Sequence, residues 1–450
     1  MNTKSNRWNS VNLRLLIIGM LVLLLLIPSG MIGALISERQ SRKDEAVQEI
    51  TSKWANAQRL GGPIITIPYD NSWKDTDGKI KTGIDYVHIL PEQLRFSAKL
   101  TPQIRHRGIY KAVLYNAKLA AEGSFSLARL GNLGINPQTL HWSEAFVSIL
   151  IPDMRGIKEN IDFLWDGKPY PVEPGIRNGN TLFDSGVSFR VPVNAGTGDS
   201  MRFAFKLNLN GSESFSILPL AQTTLVHLES PWPNPSFNGA FLPEKSHVGP
   251  QGFTADWKVL DLNRNFPQQW TGDVNNDQVH ASAFGVELFT PVDEYAKTSR
   301  AIKYIVMFVI LTFLIFFLVE VFNRKRIHPI QYLLIGFALC LFYLLLLSLS
   351  EQIGFTAAYG IAGVSIVGLI TFYVGSALRG RGLPWITGLT LLVLYGFMYV
   401  LLQNQDYALL IGSIGLFITM AVVMFLSRKV DWYNIHLKNE GDQPPTELEG

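Results

Sequence analysis

The sequence predicts an α-helical polytopic membrane protein with six spans, in which a large, mostly β extracytoplasmic domain is inserted between spans one and two. Apolar runs long enough to cross ~30 Å of hydrocarbon occur once near the N-terminus and five times in the C-terminal third. The residues between them, 37–300, contain no such run, but they contain many short segments rich in β-branched and aromatic residues. The charged fraction of 17% is below the ~25% typical of soluble domains, and this agrees with a membrane protein.

The predicted spans divide the chain into four parts. The first span, 15–36, has no charged residue, and residues 1–36 form the cytoplasmic N-terminus and first helix. Residues 37–300 form the periplasmic domain, 301–427 the remaining membrane helices, and 428–450 a cytoplasmic tail. The five later spans are predicted at 301–322, 330–350, 355–378, 384–402 and 407–427.

The Lys and Arg residues of the short loops indicate the orientation, because such residues accumulate on the cytoplasmic side. They occur before span one and after spans two, four and six, whereas the alternate loops carry only Glu351 and Asp406. We therefore expect both termini in the cytoplasm and the large domain in the periplasm. Six basic residues oppose this assignment, but they flank a long translocated domain, where the rule is weak; they are Arg39, Arg42, Lys43, Lys297, Arg300 and Lys303.

The first span could serve either as an uncleaved anchor or as a cleaved signal peptide. Its basic flank fits both functions, but its apolar stretch is longer than the usual signal core, and Pro28, Gly30 and Gly33 do not form a clean A-x-A site. We favour the anchor.

The large domain is predicted to begin with a helical stalk and to continue as β-strands. Residues 37–59 lack Pro and carry Val47, Ile50, Trp54 and Ala57 at helical spacing up to the glycines that follow. The pattern then changes to short strands, predicted at 63–69, 83–90, 110–119, 145–151, 187–193, 202–209, 223–228 and 283–289. Turn dipeptides separate several of them and indicate a mostly antiparallel sandwich or open barrel-like sheet. They are Asp166-Gly167, Asn178-Gly179, Asn210-Gly211 and Asn238-Gly239, and the third predicts the clearest hairpin.

The sequence contains no strong catalytic or cofactor motif. GxSxG, HExxH and phosphate-loop patterns do not occur, and the eight histidines lack metal-ligand spacing. No long basic block favours nucleic acid, and the single cysteine, Cys340, excludes a disulfide within one chain. We therefore expect neither an enzyme nor a bound cofactor or metal.

Two features are candidate functional sites. Pro231, Trp232 and Pro233 belong to a stiff Pro-Trp-Pro-Asn-Pro segment, which we interpret as a plug at the end of the β core, with a docking surface as the alternative. Glu320 is the acidic residue inside a span. Its i,i+4 spacing to Arg324 favours a structural ion pair over a proton relay. The glycines of the later spans, such as Gly360, Gly363, Gly368, Gly375, Gly412 and Gly415, suggest close helix packing.

Several stretches along nearly the whole chain resemble the CreD family, bacterial inner-membrane proteins named for cell-envelope integrity. The strongest run begins at His328-Pro329-Ile330-Gln331-Tyr332 and ends in Ser350-Glu351-Gln352-Ile353-Gly354-Phe355. Others are Gly62-Pro63-Ile64-Ile65, Ser230-Pro231-Trp232-Pro233-Asn234-Pro235, Gly239-Ala240-Phe241-Leu242-Pro243, Arg300-Ala301-Ile302-Lys303-Tyr304 and Asp431-Trp432-Tyr433. The resemblance implies an inner-membrane protein of an envelope stress response under a two-component system, and it supplies no catalytic residues. We take His328 and Glu351, which lie in its strongest run, as further candidate contact residues.

These observations predict a non-enzymatic protein that maintains envelope integrity through contacts with membrane lipids or other envelope proteins. The alternative is a transporter or lipid-handling protein whose β domain binds an amphiphile. A continuous apolar groove would favour that alternative. A signalling receptor is less favoured, because the tail beyond the last span is short.

Overall fold

The computed structural model of the 450-residue chain describes residues 11–74, 77–128, 130–177, 179, 182–193, 200–272, 275–288, 294–323, 327–377, 382–404 and 407–428. The chain divides into two units. A helical unit comprises Met1–Lys43 and Val292–Gly450, and a β unit comprises Asp44–Pro291. The predicted pairing partner of Glu320, Arg324, lies outside the described residues, as do Asn178 and most of the basic loop residues.

Six of the described helices are long and apolar enough to cross a membrane, and a large β region lies between the first and second of them. The chain therefore has the fold of a polytopic membrane protein. The helices are α1 (Val11–Trp54), α2 (Asn276–Ala281), α3 (Glu294–Lys303), α4 (Ile305–Asn323), α5 (Pro329–Ile353), α6 (Phe355–Ala377), α7 (Leu383–Gln403) and α8 (Ala408–Ser427). The candidate spans are α1 and α4 to α8.

Seventeen strands are described in the β unit. They are β1 (Gln58–Lys74), β2 (Ile80–Ile89), β3 (Gln93–Arg107), β4 (Tyr110–Phe125), β5 (Phe146–Leu150), β6 (Asp162–Trp165), β7 (Lys168–Tyr170), β8 (Glu173–Pro174), β9 (Gly186–Arg190), β10 (Met201–Ser212), β11 (Ser214–Ile217), β12 (Thr223–Ser230), β13 (Pro235–Gly239), β14 (Lys245–Gly249), β15 (Gly252–Leu260), β16 (Gln269–Thr271) and β17 (Phe284–Leu288).

The strands form two sheets around one shared core. The nine-stranded sheet follows the order β13-β17-β11-β1-β5-β9-β8, with β2 on β1 and β16 on β2; the eight-stranded sheet follows β14-β15-β12-β3-β4-β10-β6-β7. Two pairs, β1 with β11 and β3 with β12, are parallel, and the other pairs described are antiparallel. Buried side chains of both sheets meet in one large cluster that includes Ile65, Phe96, Phe205 and Trp257. This is the interior expected of two stacked sheets with alternating inward positions.

The hairpin predicted at Asn210-Gly211 is wrong, because both residues lie inside β10. Beyond β10 the chain passes to β11 in the other sheet, and the left-handed residue at this crossing is Glu213, with φ of 60°. A Cβ on Gly211 would lie 2.3 Å from the Tyr115 hydroxyl oxygen, so the glycine serves close packing. The turn predicted at Asp166-Gly167 does join two paired strands, β6 and β7, and both residues have positive φ.

The stalk helix ends earlier than its pattern predicts. α1 stops at Trp54, and Gln58 and Arg59 already belong to β1. Tertiary hydrogen bonds stabilise the non-helical backbone after Trp54. The Asp153 carboxylate accepts from the Asn56 N–H at 2.9 Å, and the Gln58 side-chain amide donates to the Asp153 carbonyl oxygen at 3.0 Å. The apolar stripe therefore stops before the exposed Ala57.

Close helix packing at glycine occurs at fewer of the predicted positions than the sequence suggests. A Cβ added to Gly360 or Gly368 would have nothing within 4 Å, whereas a Cβ on Gly415 would lie 2.2 Å from the Phe397 ring. Helix α1 packs closely against Gly336 of α5, where a Cβ would lie 2.2 Å from the Leu25 side chain. Leu25 is buried there in the core of the helical unit.

Candidate functional site

Glu320 lies near the end of α4 and is the centre of a buried polar cluster. Its carboxylate is 2% exposed and forms an ion pair with the Arg14 guanidinium of α1. The Tyr332 hydroxyl of α5 donates to the same carboxylate at 3.1 Å. A buried charge is costly unless it is paired and hydrogen-bonded, and Glu320 meets both conditions with groups from two other helices.

His328 caps the helix that follows this cluster. Its Nδ1 accepts the N–H of Ile330 at 3.3 Å, and its own N–H donates to the Gln331 side chain at 3.0 Å. Pro329 occupies the first helical position, where a missing N–H carries no cost. The N–H of Ile327 donates to Glu320 at 3.4 Å, which joins the start of α5 to the cluster. His328 is thus placed as a reciprocal helix cap.

Glu351 lies at the opposite end of α5 in a second, more exposed polar cluster. The Tyr295 hydroxyl of α3 donates to Glu351 Oε1 at 2.8 Å, and Arg39 Nε of α1 lies 4.0 Å from the same oxygen. The Lys43 ammonium lies 5.8 Å from the centroid of the Tyr295 ring. The cluster therefore links the later part of α1 with α3 and α5.

The polar links follow the alternation of direction that consecutive spans require. The start of α1 meets the end of α4 through Arg14 and Glu320, and the later part of α1 meets the end of α5 through Arg39 and Glu351. The residues before α4 meet the end of α7, because Lys297 donates to Gln403 at 3.2 Å. Each link joins two chain positions that an alternating order of spans places at the same membrane face.

The Pro-Trp-Pro candidates lie in the β unit, between β12 and β13. Trp232 is partly buried and packs against the large β core, whereas Pro231 and Pro233 are exposed. The N–H of Trp232 donates to the Ser230 hydroxyl at 3.2 Å. One face of the Trp232 side chain therefore contributes to the core, and the prolines beside it face solvent.

A further polar network in the β unit surrounds Asp153, which follows β5. The Arg155 side chain hydrogen-bonds both carboxylate oxygens of Asp153, at 2.8 and 2.6 Å. This hydrogen bonding holds the pKa of the carboxyl below its usual range against the opposing effect of burial, with help from the Asn56 and Arg155 N–H groups. The network fixes the junction where α1 gives way to β1. No group of three metal-ligating side chains occurs among the residues that the structure describes.

The solvent-facing side of the eight-stranded sheet carries a groove made of three adjoining depressions. Their volumes are about 750, 670 and 540 Å³. Neighbouring depressions share lining residues, which are charged or small apart from the apolar Leu164; those shared are Arg95, Ser97, Ala120, Glu122, Asp162, Leu164, Ala204 and Lys206. The middle depression is also lined by Ile161, Leu164 and Tyr170, so the groove presents both charged and apolar groups.

Comparison with known proteins identifies the family. The family model described as inner membrane protein CreD matches residues 10–433. The Escherichia coli (strain K12) protein named inner membrane protein CreD is 34% identical to this chain over 421 residues, which cover 92% of each protein. The chain belongs to the CreD family. It is therefore a multi-pass inner-membrane protein, and the CreD family is not a known enzyme family.

Sequence reasoning about this CreD family member identified Glu320 and Glu351 but missed the residues that bind them. Arg14 is one of the basic residues before span one, which indicate the orientation but not a partner for Glu320, and the sequence does not mark Tyr332 or Tyr295 as hydroxyl donors. The sequence nevertheless allowed the Arg14–Glu320 pair to be considered, because alternating spans place the start of span one and the end of span two at the same membrane face. The candidates also fall into separate groups. Trp232 belongs to the β unit, Glu320 lies at the end of α4 beside the start of α5, and Glu351 lies at the other end of α5.

Proposed function

We propose that this protein supports the integrity of the cell envelope from the inner membrane, within an envelope stress response, and that it acts by contacts rather than by catalysis. Its partners are membrane lipids and other envelope proteins. The observation that carries the proposal is the complete internal pairing of Glu320, whose buried carboxylate is held by Arg14, Tyr332 and the Ile327 N–H. A carboxylate used in this way stabilises the helix assembly and is poorly suited to carry a proton or an ion.

The sidedness of the contacts follows from the loop charges. The proposal places both termini in the cytoplasm and the β unit in the periplasm, because the short basic loops follow spans two, four and six. The β unit would then meet the periplasmic components of the envelope with its broad groove of charged and apolar residues, while the helices meet the lipids. α8 supports the lipid contact, because its apolar residues have no buried member.

The alternative of a lipid-handling transporter has less support. An amphiphile needs a continuous apolar channel for its chains, whereas the depressions described on the β unit carry charged residues such as Arg95, Glu122 and Lys206 beside their apolar ones. A transporter would also need a buried polar group that is available to its substrate or ion. The Glu320 carboxylate is already bound by Arg14, Tyr332 and the Ile327 N–H.

The proposal is tested in a strain that lacks the gene, with detergent sensitivity as the measure of envelope integrity. We expect the strain to be more sensitive than its parent and the wild-type gene to restore resistance. Glu320→Gln should restore it as well, because the amide keeps the shape and can still accept from Tyr332. If Glu320→Gln abolishes resistance at a normal protein level in the membrane, Glu320 has a role in proton or ion transfer and the contact proposal fails.

Trp232 provides a second test, directed at the β unit. Trp→Ala in a core typically costs ~3–5 kcal/mol, and the partial burial of Trp232 places its expected cost near the lower value. We expect Trp232→Ala to lower the thermal stability of the purified full-length protein. Pro233→Ala, at an exposed neighbour, is the matched control and should leave the stability nearly unchanged. Unchanged stability for Trp232→Ala together with lost detergent resistance would show that Trp232 is a contact residue and not a core residue.

A further inference from the structure

Three hydroxyl groups in the core of the helical unit lack the hydrogen bonds that buried polar groups normally make. They belong to Thr312 of α4, Tyr343 of α5 and Tyr395 of α7, which are 0%, 1% and 4% exposed. None of these hydroxyls has a hydrogen-bond partner among the residues that the structure describes. We name the three side chains the hydroxyl site. An unpaired polar group in an apolar interior is costly, so three of them would destabilise the bundle unless they bind something else.

The members of the hydroxyl site lie at a similar depth in the bundle. Tyr343 is two residues past the midpoint of α5, and Tyr395 is two residues past the midpoint of α7. Thr312 is two residues before the midpoint of α4, which runs in the opposite direction to α5 and α7 because consecutive spans alternate. Two helical residues rise about 3 Å, so each side chain starts about 3 Å from the middle of its helix, towards the end of the bundle that holds Glu351.

Ring contacts bring the members together around Phe342 of α5. The centroid of its ring lies 5.0 Å from that of Tyr343 and 4.8 Å from that of Tyr395. Phe308, one turn before Thr312, has its ring centroid 5.0 Å from that of Tyr395, which brings α4 to the same place. The Tyr343 and Tyr395 hydroxyls are also close enough to interact electrostatically. The hydroxyl site therefore lies between three helices, in the interior of the bundle.

Two other buried tyrosines show how the chain itself satisfies a hydroxyl in this bundle. The Tyr359 hydroxyl donates to the Tyr395 carbonyl oxygen at 2.8 Å, and the Tyr332 hydroxyl donates to the Glu320 carboxylate at 3.1 Å. The Tyr343 and Tyr395 hydroxyls differ from these, because no group in the described part of the chain bonds them. They are therefore available to another molecule.

We propose that the hydroxyl site binds internal water, which bridges α4, α5 and α7. A buried water molecule makes about three hydrogen bonds to polar groups, and three hydroxyls, each able to donate and to accept, can supply them. Neutral hydroxyls offer a metal cation none of the charged oxygen ligands that it prefers, and an apolar ligand would leave the hydroxyls unpaired. Such water stabilises the interior of the helical unit, and its presence is independent of the envelope role.

Hydroxyl-radical labelling of the purified full-length protein, produced by X-ray pulses and read by mass spectrometry, tests the proposal. The pulses form radicals from bound internal water as well as from bulk water, so a buried side chain is oxidised when it contacts such water. Tyr115 of β4 is the reference, because it is similarly buried and its hydroxyl donates to the Ser214 carbonyl oxygen at 2.7 Å. We expect Tyr343 and Tyr395 to be oxidised several times faster than Tyr115. Oxidation of both at the low rate of Tyr115 would refute the water site.

Variants that lack hydroxyls show whether the oxidation depends on the site itself. Thr312→Val/Tyr343→Phe removes two of the three hydroxyls and nearly keeps the side-chain shapes, so we expect the oxidation of Tyr395 to fall to the background rate. Tyr399→Phe is the matched control, because it removes a hydroxyl one turn further along α7 that already accepts from the Gln403 side chain at 2.9 Å. It should leave the oxidation of Tyr395 unchanged. Equal effects of the two variants, or no effect of the double variant, would contradict a site built from the three hydroxyls.

The sign of the stability change is a second measurement, and it uses single conservative variants. Loss of a hydrogen-bonded hydroxyl destabilises a protein, whereas loss of a buried unpaired hydroxyl removes a cost. We therefore expect Tyr343→Phe and Tyr395→Phe each to lower the unfolding temperature of the purified protein. An unchanged or raised unfolding temperature in both variants would show that the two hydroxyls are unpaired and would rule out bound water.

Discussion

The ion pair between Arg14 and Glu320 joins α1 to α4 inside the helical unit, and its contribution to stability can be measured. Removal of one partner from a buried pair typically costs 3–5 kcal/mol, because the other charge remains buried without compensation. Arg14 is 22% exposed and can reach the membrane surface, so we expect Glu320→Ala to cost about 3 kcal/mol. Thermal unfolding of the purified protein measures this cost.

The double substitution Arg14→Ala/Glu320→Ala separates the pair from other contacts of the two residues. If the residues act as a pair, the double variant should lose less stability than the sum of the two single losses, and the cycle should show a coupling of about 1–3 kcal/mol. Additive losses would show that Glu320 is stabilised chiefly by Tyr332 and the Ile327 N–H.

Asp153 should make the folding stability of the β unit depend on pH. Arg155 lowers the pKa of its carboxyl in the folded protein below the unfolded value of about 3.9. The stabilisation is thus fully present above that unfolded value and is lost as the pH falls through the lower folded pKa. We expect Asp153→Asn to destabilise the protein at pH 7 by about 1.5–3 kcal/mol, the range for a hydrogen bond to a charged group.

The test follows the unfolding temperature of wild type and Asp153→Asn from pH 7 to pH 3. The difference between the two should stay constant down to about pH 4 and then shrink. Asp162→Asn, which removes an exposed carboxylate from β6, is the control and should show little difference at any pH. A difference for Asp153→Asn that is independent of pH would indicate a steric cause instead.

At the scale of helices, the contact of Leu25 with Gly336 determines how closely α1 and α5 approach. A side chain at position 336 must displace Leu25, because even a Cβ would lie 2.2 Å from it. Overpacking of this kind typically costs about 1–3 kcal/mol. We therefore expect Gly336→Val to reduce the free energy of unfolding by about 1–3 kcal/mol, which a lower unfolding temperature of the purified protein would show. Leu25→Ala should partly rescue Gly336→Val, because it vacates the volume that the new methyl groups need.

Gly360 offers a matched control for this prediction. It lies in the neighbouring helix α6, and nothing lies within 4 Å of its Cβ position. Gly360→Val should therefore leave stability nearly unchanged. Equal effects at positions 336 and 360 would mean that glycine flexibility, rather than the approach of α1, is what these helices require.

Strand prediction succeeded where apolar residues dominate and at β10, whose residues alternate clearly, but it missed two strands with polar or charged outward positions. β3 was missed although Leu94, Phe96, Ala98 and Leu100 alternate as buried residues, because polar residues separate them and Pro102 follows within the strand. β15 was missed for the same reason, since Thr, Asp and Lys occupy its outward positions. The crossing at Glu213 could not be predicted, because tertiary pairing alone shows that β10 and β11 belong to different sheets.

At the scale of the whole molecule, the sequence predicted the spans accurately because length and apolarity suffice to identify them. The predicted spans agree with the helices to within a few residues at most ends. The sequence could not supply the links between spans, since these depend on which helices become neighbours. Local spacing predicts Arg324, which lies outside the described residues, as the partner of Glu320. The structure shows an ion pair of Glu320 with Arg14, about 300 positions away in the chain, which local spacing could not predict.

The orientation of the chain across the membrane is the prediction with the widest consequences, because it decides which side the β unit faces. The single native cysteine, Cys340, is buried and should not react with a membrane-impermeant maleimide. Cysteines can therefore be introduced one at a time. We expect Gln352→Cys and Asn404→Cys to be labelled in intact cells, and Lys325→Cys and Gly380→Cys only after the inner membrane is opened.

The three polar links strengthen the expectation that the loops alternate. Arg14 with Glu320, Arg39 with Glu351, and Lys297 with Gln403 each require both partners at one membrane face. Gln352 and Asn404 directly follow residues of two of these links, so they must be labelled together if the helices are arranged as described. Labelling of one without the other would contradict the arrangement of spans, whereas labelling of neither in intact cells, with Lys325→Cys and Gly380→Cys labelled instead, would invert the orientation and place the β unit in the cytoplasm.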